Sequence, residues 1–369
     1  NYQVVLEREP ADDTLVAVRI CSVPLVCVAA PAYLAKAGTP ESPEDLLRHL
    51  IRVSSREMEL PVTLHETGTD RSYTVPTGHA GDSGLVLALK NRVLEGGGMR
   101  GIYTAGVLDV FMENGITFDG VIGVSAGAIH GCSFVSGQKG RSIRYYMKYC
   151  RNWQFMSFRS LLLTGNIAGE KFCYHTLPEK LDPYDYEAFK KSPTKFYVGC
   201  SNVETGKAEY LPITDMKEQI DRMRASASLP LVSKIVKTAG LKLLDGGCTD
   251  SIPVKAFAKM GYTKDVVVLT RHKGYRKEIE GTGLTKLVYR KYPEFVKAVY
   301  KRPDVYNHTL DEIEKWEKEG KIFVIRPSVP LTISRTSRSA EEIEKTYQVG
   351  VLDAKKQMAA LKEWLAIRG

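Results

Sequence analysis

The sequence predicts an α/β fold, a mainly parallel sheet with helices on both faces. Three observations lead there. Short β-branched runs alternate with helix-period segments through residues 92–369. Two of the runs break into glycine-rich loops that open directly into helical patterns, at 92–101 and at 118–127. At 369 residues, 43% hydrophobic and 26% charged, the chain can bury a large core, and its length suggests two domains.

Residues 1–90 read as the smaller part. Runs at 15–21 and 24–29 read as strands by their β-branched content. Ser42 as a cap, Pro43 behind it and the acids Glu44 and Asp45 mark a helix start. Runs at 61–65 and 72–76 flank Thr67, Gly68, Thr69 and Asp70, which predicts a hairpin. Residues 84–90 have the length of a short helix. No Gly/Ser/Pro linker separates the halves, so the seam near 84–92 is expected to be tight, with domains at 1–90 and 91–369.

In the larger part, Ile102, Ala105, Leu108 and Met112 recur at helical spacing, and Gly115 ends the pattern. Residues 118–123 read as the next strand, and 126–135, rich in small residues, as a buried helix. Residues 141–190 read as mostly helical. Strands are expected at 195–200, 208–211, 241–244, 265–270 and 321–326, and helices at 220–227 and from 340 onward.

Charge and cysteine content narrow the setting. Residues 1–90 carry 8 Lys+Arg against 12 Asp+Glu, and the rest 44 against 31, within a net charge of +9. The basic part suits an anionic lipid surface or a merely solvated face; no nucleic-acid module is recognisable. Seven cysteines without a C-x-x-C pair point to reduced thiols, a cytoplasmic setting and no zinc site. No run approaches the ~18 apolar residues of a membrane span, and no signal-peptide pattern is read at the N-terminus. Asn1 in place of Met suggests that the original start lies upstream.

Two loops carry the chemistry. Gly96, Gly97 and Gly98 leave backbone N–H groups open to an anion. Gly123-x-Ser125-x-Gly127, between a strand and a small-residue helix, fits a turn that exposes a nucleophilic serine; the bland alternative is a helix-cap serine. Gly96-x-Gly98-x-x-Gly101 with Asp119 also spells a dinucleotide fingerprint, but Asp119 begins its strand, away from the ligand crevice. A conventional triad would draw on His272, after a predicted strand, or His308. His130 reads as a packing residue. Residues 286–302 interleave Lys286, Arg290, Lys291, Lys297 and Lys301 with aromatic and apolar residues. They suit a lipid surface or an amphipathic helix on the body.

Taken together, the glycine loop at 96–101, the Gly123–Gly127 motif, the Ala225-Ser-Ala-Ser-Leu-Pro230 block and Asp245-Gly246-Gly247 resemble the patatin-like phospholipase family over residues 92 to about 356. The resemblance implies a three-layer α/β/α hydrolase and lipid acyl hydrolase activity, an esterase or phospholipase, with no cofactor or metal. It implies Ser125 as nucleophile, Asp245 as general base, and oxyanion-hole N–H groups from Gly97, Gly98, Met99 and Arg100. Glu95 departs from the Asp or Gly common there and, outside the donors, is expected to matter little.

Residues 5–90 resemble part of the effector-binding domain of LysR-type transcriptional regulators. The resemblance rests on Leu15-Val16, Val23 to Val26, Ala30 to Leu34, Gly38 to Pro40 and Ser42 to Leu46. That family's winged helix-turn-helix and half of its ligand domain are absent. The segment is therefore expected to pack on the rest of the chain or on a second copy, giving a homodimer through 1–90. Lipid or ester substrates are the expected partners, with peripheral membrane contact. A binding protein with a degenerate hydrolase body is the competing class.

Overall fold

The computed structural model describes residues 90–367 apart from 263 and 279–281. Before residue 90 it describes only five strands: β1 Tyr2–Gln3, β2 Ile51–Val53, β3 Val62–Glu66, β4 Ser72–Val75 and β5 Thr77–His79. The chain divides into compact units at 1–88 and 89–368. In the first, β3 and β4 pair antiparallel, as the predicted hairpin requires; β1 joins β3, and β2 pairs parallel with β5. The expected strands at 15–29, the helix at Ser42, the segment 84–89 and the residues carrying the LysR-type resemblance lie outside the described residues.

The second unit is built on an eight-stranded sheet. Its strands are β6 Lys90–Leu94, β7 Gly120–Val124, β8 Lys195–Asn202, β9 Ala208–Ile213, β10 Val236–Thr238, β11 Leu241–Asp245, β12 Lys264–Val268 and β13 Phe323–Ile325. Helices follow in chain order: α1 Ile102–Glu113, α2 Ala126–Val135, α3 Arg141–Tyr149, α4 Phe158–Thr164, α5 Tyr186–Lys191, α6 Ile220–Ser226, α7 Val254–Lys259, α8 Thr282–Val288, α9 Pro293–Lys318 and α10 Ala340–Ile367. Gly115, at φ 64°, follows α1 in the left-handed conformation that suits glycine.

Alternation along the strands makes three layers. Leu94, Val121, Phe196 and Val266 face one side, packed with Val107 and Phe111 of α1, Ala128 of α2 and Leu361 of α10. Val93, Ile122 and Val267 face the other, packed with Phe257 of α7 and Leu310 and Ile313 of α9. The α/β three-layer expectation therefore holds. The sheet is mainly parallel, as expected: β13, β12, β6, β7 and β8 run parallel, and β9, β10 and β11 add an antiparallel flank that was not foreseen.

That antiparallel flank places the site. β9 occupies one edge of β8 over Phe196–Ser201, so β11, paired at 200–202, must share the opposite edge with β7. There Val124 stands across from Gly199 and Asp245 across from Cys200. β7 and β11 thus run toward each other along one edge, and their C-terminal ends meet. Ligand crevices of open α/β sheets lie at that end of the parallel strands.

Candidate active site

The residue after β7 is Ser125, with φ 53° and ψ −123°, a conformation non-glycine residues rarely adopt. The flanking glycines permit it. A Cβ on Gly123 would stand 2.6 Å from the Ala128 backbone, and one on Gly127 would stand 2.5 Å from the Leu94 carbonyl oxygen. Without side chains there, α2 can start hard against β6 and β7. Ser125 sits as the N-cap of α2 without a side-chain capping bond, which leaves its hydroxyl directed elsewhere.

Asp245 ends β11 and is buried. Its Oδ1 accepts the Gly247 N–H at 2.7 Å, while its buried Oδ2 has no hydrogen-bond partner among the described residues and shares the cleft with Ser125. Burial raises the Asp245 pKa above the usual carboxylate value; the nearby Ser125 hydroxyl, the Gly247 N–H and the charges of Arg302 and Arg335 partly offset this. The 225–230 block holds both ends. The Ser226 hydroxyl accepts the Ser125 N–H at 3.0 Å and donates to the Gly199 carbonyl at 2.7 Å. The Ser228 carbonyl accepts the Asp245 N–H at 2.8 Å.

The glycine loop closes the third side: a Cβ on Gly96 would lie 3.1 Å from Ser125 Cβ. The four expected oxyanion donors are not equivalent. The Met99 N–H donates to the Arg335 carbonyl at 3.2 Å, and the Arg100 N–H turns back to the Gly97 carbonyl at 3.3 Å. No backbone or side-chain acceptor takes the Gly97 or Gly98 N–H among the described residues.

Glu95 corrects an expectation. It is buried, accepts the Thr270 N–H and the Tyr306 hydroxyl, each at 2.5 Å, and so ties the glycine loop to the end of β12 and to α9. The cleft holds Ser125 and Asp245 together with Arg100, Arg271, Lys277, Arg302 and Arg335. The last four were not foreseen as site residues: nothing local distinguishes them from solvated basic residues.

The histidines stand apart. His272 is half-buried against Tyr275 and does not line the cleft. His308 is exposed, within 3.6 Å of Glu312. His130 packs in the core, its Nδ1 3.0 Å from the Ser142 hydroxyl and its pKa pushed down to about 3 by burial. Asp119 precedes β7, at the end opposite Ser125, as the argument against a dinucleotide site requires. In the 286–302 stretch, Tyr289 and Phe295 turn into the core while Lys286, Arg290, Lys291, Lys297 and Lys301 stay exposed.

The strand–serine–helix turn facing an aspartate at the meeting of two strand ends defines a class. Residues 93–258 match the family model described as patatin-like phospholipase, which at the level of the family supports a lipid acyl hydrolase. Residues 292–366 match a domain of unknown function (DUF6363). Among curated proteins, Uncharacterized protein YjjU of Escherichia coli (strain K12) is 28% identical over 273 residues, covering 70% of this chain and 74% of that protein. Among solved structures, VipD from Legionella pneumophila matches 74% of this chain and 67% of its own at 13% identity. The TM-score is 0.36.

Proposed function

We propose that the protein is a serine lipid acyl hydrolase working through a Ser125–Asp245 dyad. The observation that carries this is the meeting, in one cleft, of Ser125 on its strained turn with the buried Asp245 carboxyl, whose Oδ2 has no hydrogen-bond partner among the described residues. Asp245 takes the Ser125 proton as Oγ attacks the ester carbonyl. The tetrahedral oxyanion forms beside the Gly97 and Gly98 N–H groups, the donors not already engaged. Asp245 returns the proton to the leaving alcohol, and water then releases the acyl group by the same steps. A raised carboxyl pKa suits this, because an ordinary aspartate is a weak base toward serine.

An acyl chain needs apolar room. A cavity of about 110 Å³ bounded by Ile129, Tyr146, Tyr174 and Met223, separate in its lining from the Ser125 cleft, is the candidate for it. Contact with a lipid surface belongs to the same reading. α4 exposes Phe158 (73%) and Leu162 (86%), and α8 exposes Leu287 (65%). The residues just after each helix are tied to the loop that enters the cleft at Leu229 and Pro230: Ile167 N–H donates to the Val232 carbonyl, and Leu231 N–H to the Tyr289 hydroxyl. Among the described residues no helix is long and apolar enough to cross a membrane, and the placement proposed is cytoplasmic and peripheral. Residues 1–90 enter this reading as a separate LysR-like domain that packs or pairs rather than reacts.

Turnover of a chain-length series of p-nitrophenyl esters tests the dyad. Ser125→Ala and Asp245→Asn should each lose at least about 10³-fold in kcat, while His272→Ala keeps activity. Activity surviving in Asp245→Asn but lost in His272→Ala would assign the base to histidine instead.

A further inference from the structure

Five cationic side chains line the cleft of Ser125: Arg100, Arg271, Lys277, Arg302 and Arg335. Among its described lining residues the carboxylates are two, Glu95 and Asp245, so the lining is rich in cations. Glu95 is already engaged by Thr270 and Tyr306, and Oδ1 of Asp245 by the Gly247 N–H. The cations feel one another: burial and then the charge of Arg271, with a contribution from Arg335, pull Arg100 down to about 10. The Arg302 guanidinium lies against Gly247, where a Cβ would stand 3.4 Å from Nη2. Two donors in this group, Nε of Arg100 and Nε of Arg302, are buried without a hydrogen-bond partner among the described residues.

Like charges gathered in a partly buried cleft repel one another. An incoming anion relieves that repulsion and supplies acceptors to unsatisfied guanidinium donors, whose planar fork matches tetrahedral oxyanions. A phosphomonoester carries about −1.5 to −2 at pH 7, the better match to a lining rich in cations. The cleft is poorly equipped for the ammonium of a zwitterionic head. Among the described residues it offers no third carboxylate, and its aromatic ring, Tyr306, already has the Lys277 ammonium 4.8 Å from its centroid.

We propose that Arg302 and Arg335, with Arg271, Lys277 and Arg100, form a receptor for the phosphate of the substrate, selecting acyl esters that bear a phosphomonoester over neutral or zwitterionic ones. This rests on the hydrolase reading and names the substrate class of that site. Four of the five cations follow residue 258, beyond the patatin-like match, and Arg302 and Arg335 fall within 292–366. The stretch with no assigned role thus contributes the headgroup preference, while residues 93–258 contribute the reacting groups.

The test compares three ligands of one acyl chain, below their micelle concentrations: a monoacylglycerol, its 3-phosphate and its 3-phosphocholine. Calorimetric binding to the Ser125→Ala protein should favour the phosphate at least tenfold, about 1.4 kcal/mol, with the preference shrinking as salt rises. Arg302→Gln combined with Arg335→Gln should remove most of it. Wild-type kcat/KM on the same esters should follow the same order. In Arg302→Gln the acid limb of the rate profile should move to higher pH, because a cation favouring ionised Asp245 is gone. Equal binding of the three ligands, or a preference that survives the double substitution, overturns the receptor. So does inorganic phosphate binding as tightly as the acyl phosphate, which would make the site one for a free anion. Preference in binding with no turnover of any ester would leave the receptor standing and sink the hydrolase reading; turnover without preference would do the reverse.

Discussion

Ser125 sits in a backbone conformation that costs on the order of 1–3 kcal/mol, so its surroundings must hold it there. Ser226 is the main tether: buried, it bridges the Ser125 N–H and the Gly199 carbonyl, joining the end of β7 to β8 through one hydroxyl. Ser226→Ala would leave both groups buried and unsatisfied, at about 1–3 kcal/mol each. Part of that loss should reach the reaction, because the turn relaxes. We expect kcat to fall roughly tenfold with KM little changed, since Ser226 does not line the cleft, together with a lower Tm. A fall in Tm with kcat intact would make Ser226 a folding residue only.

At the scale of single elements, what the sequence shows depends on how far apart the informative residues lie. The turn at Ser125 was legible because strand, glycines and helix fit within ten residues. The 225–230 block and Asp245-Gly246-Gly247 were legible for the same reason, although how they clamp Ser125 was not. Arg271, Lys277, Arg302 and Arg335 reach the cleft from separate segments, and a basic residue on a helix reads as a solvated face. The antiparallel flank was hidden because β-branched runs do not encode their partners. Arg92 was hidden too: its guanidinium lies within 4.1–4.3 Å of the ring centroids of Phe111, Phe118 and Phe134, a cage assembled from three elements. β12 holds a similar case. Asp265 is buried, its Oδ1 lacks a partner among the described residues, and burial pushes its pKa up to about 8. The unfolded chain ionises it near pH 3.9. Between about pH 4 and 8 the unfolded state therefore holds fewer protons, and stability falls as pH rises, by at most ~1.4 kcal/mol per unit. Asp265→Asn should remove that slope, so its Tm advantage over wild type should grow from pH 5 to pH 8. Parallel Tm profiles would show that the carboxyl is ionised or paired throughout.

The larger unit combines a basic composition with two helices, α4 and α8, that expose apolar side chains. Of the net charge of +9, residues 91–369 supply the positive excess. Around α4 and α8 the exposed cations include Arg159, Lys234, Lys286, Arg290 and Lys291. Apolar side chains beside a ring of cations favour insertion at an anionic lipid surface, where burial and Coulomb attraction add. Fully burying one leucine contributes about 1.5–3 kcal/mol. The partial burial open to Leu162 and Leu287 should therefore give about a tenfold effect on partitioning each. We expect the protein to co-sediment with vesicles containing phosphatidylglycerol, more weakly at high salt, and poorly with pure phosphatidylcholine vesicles. Leu162→Asp with Leu287→Asp should abolish sedimentation while turnover of a soluble short-chain ester, which needs no surface, continues. If the double variant still sediments, the surface contact lies elsewhere. If wild type binds both vesicles equally and salt has no effect, the basic surface is not what attracts lipid, and α4 and α8 would be left as apolar contacts alone.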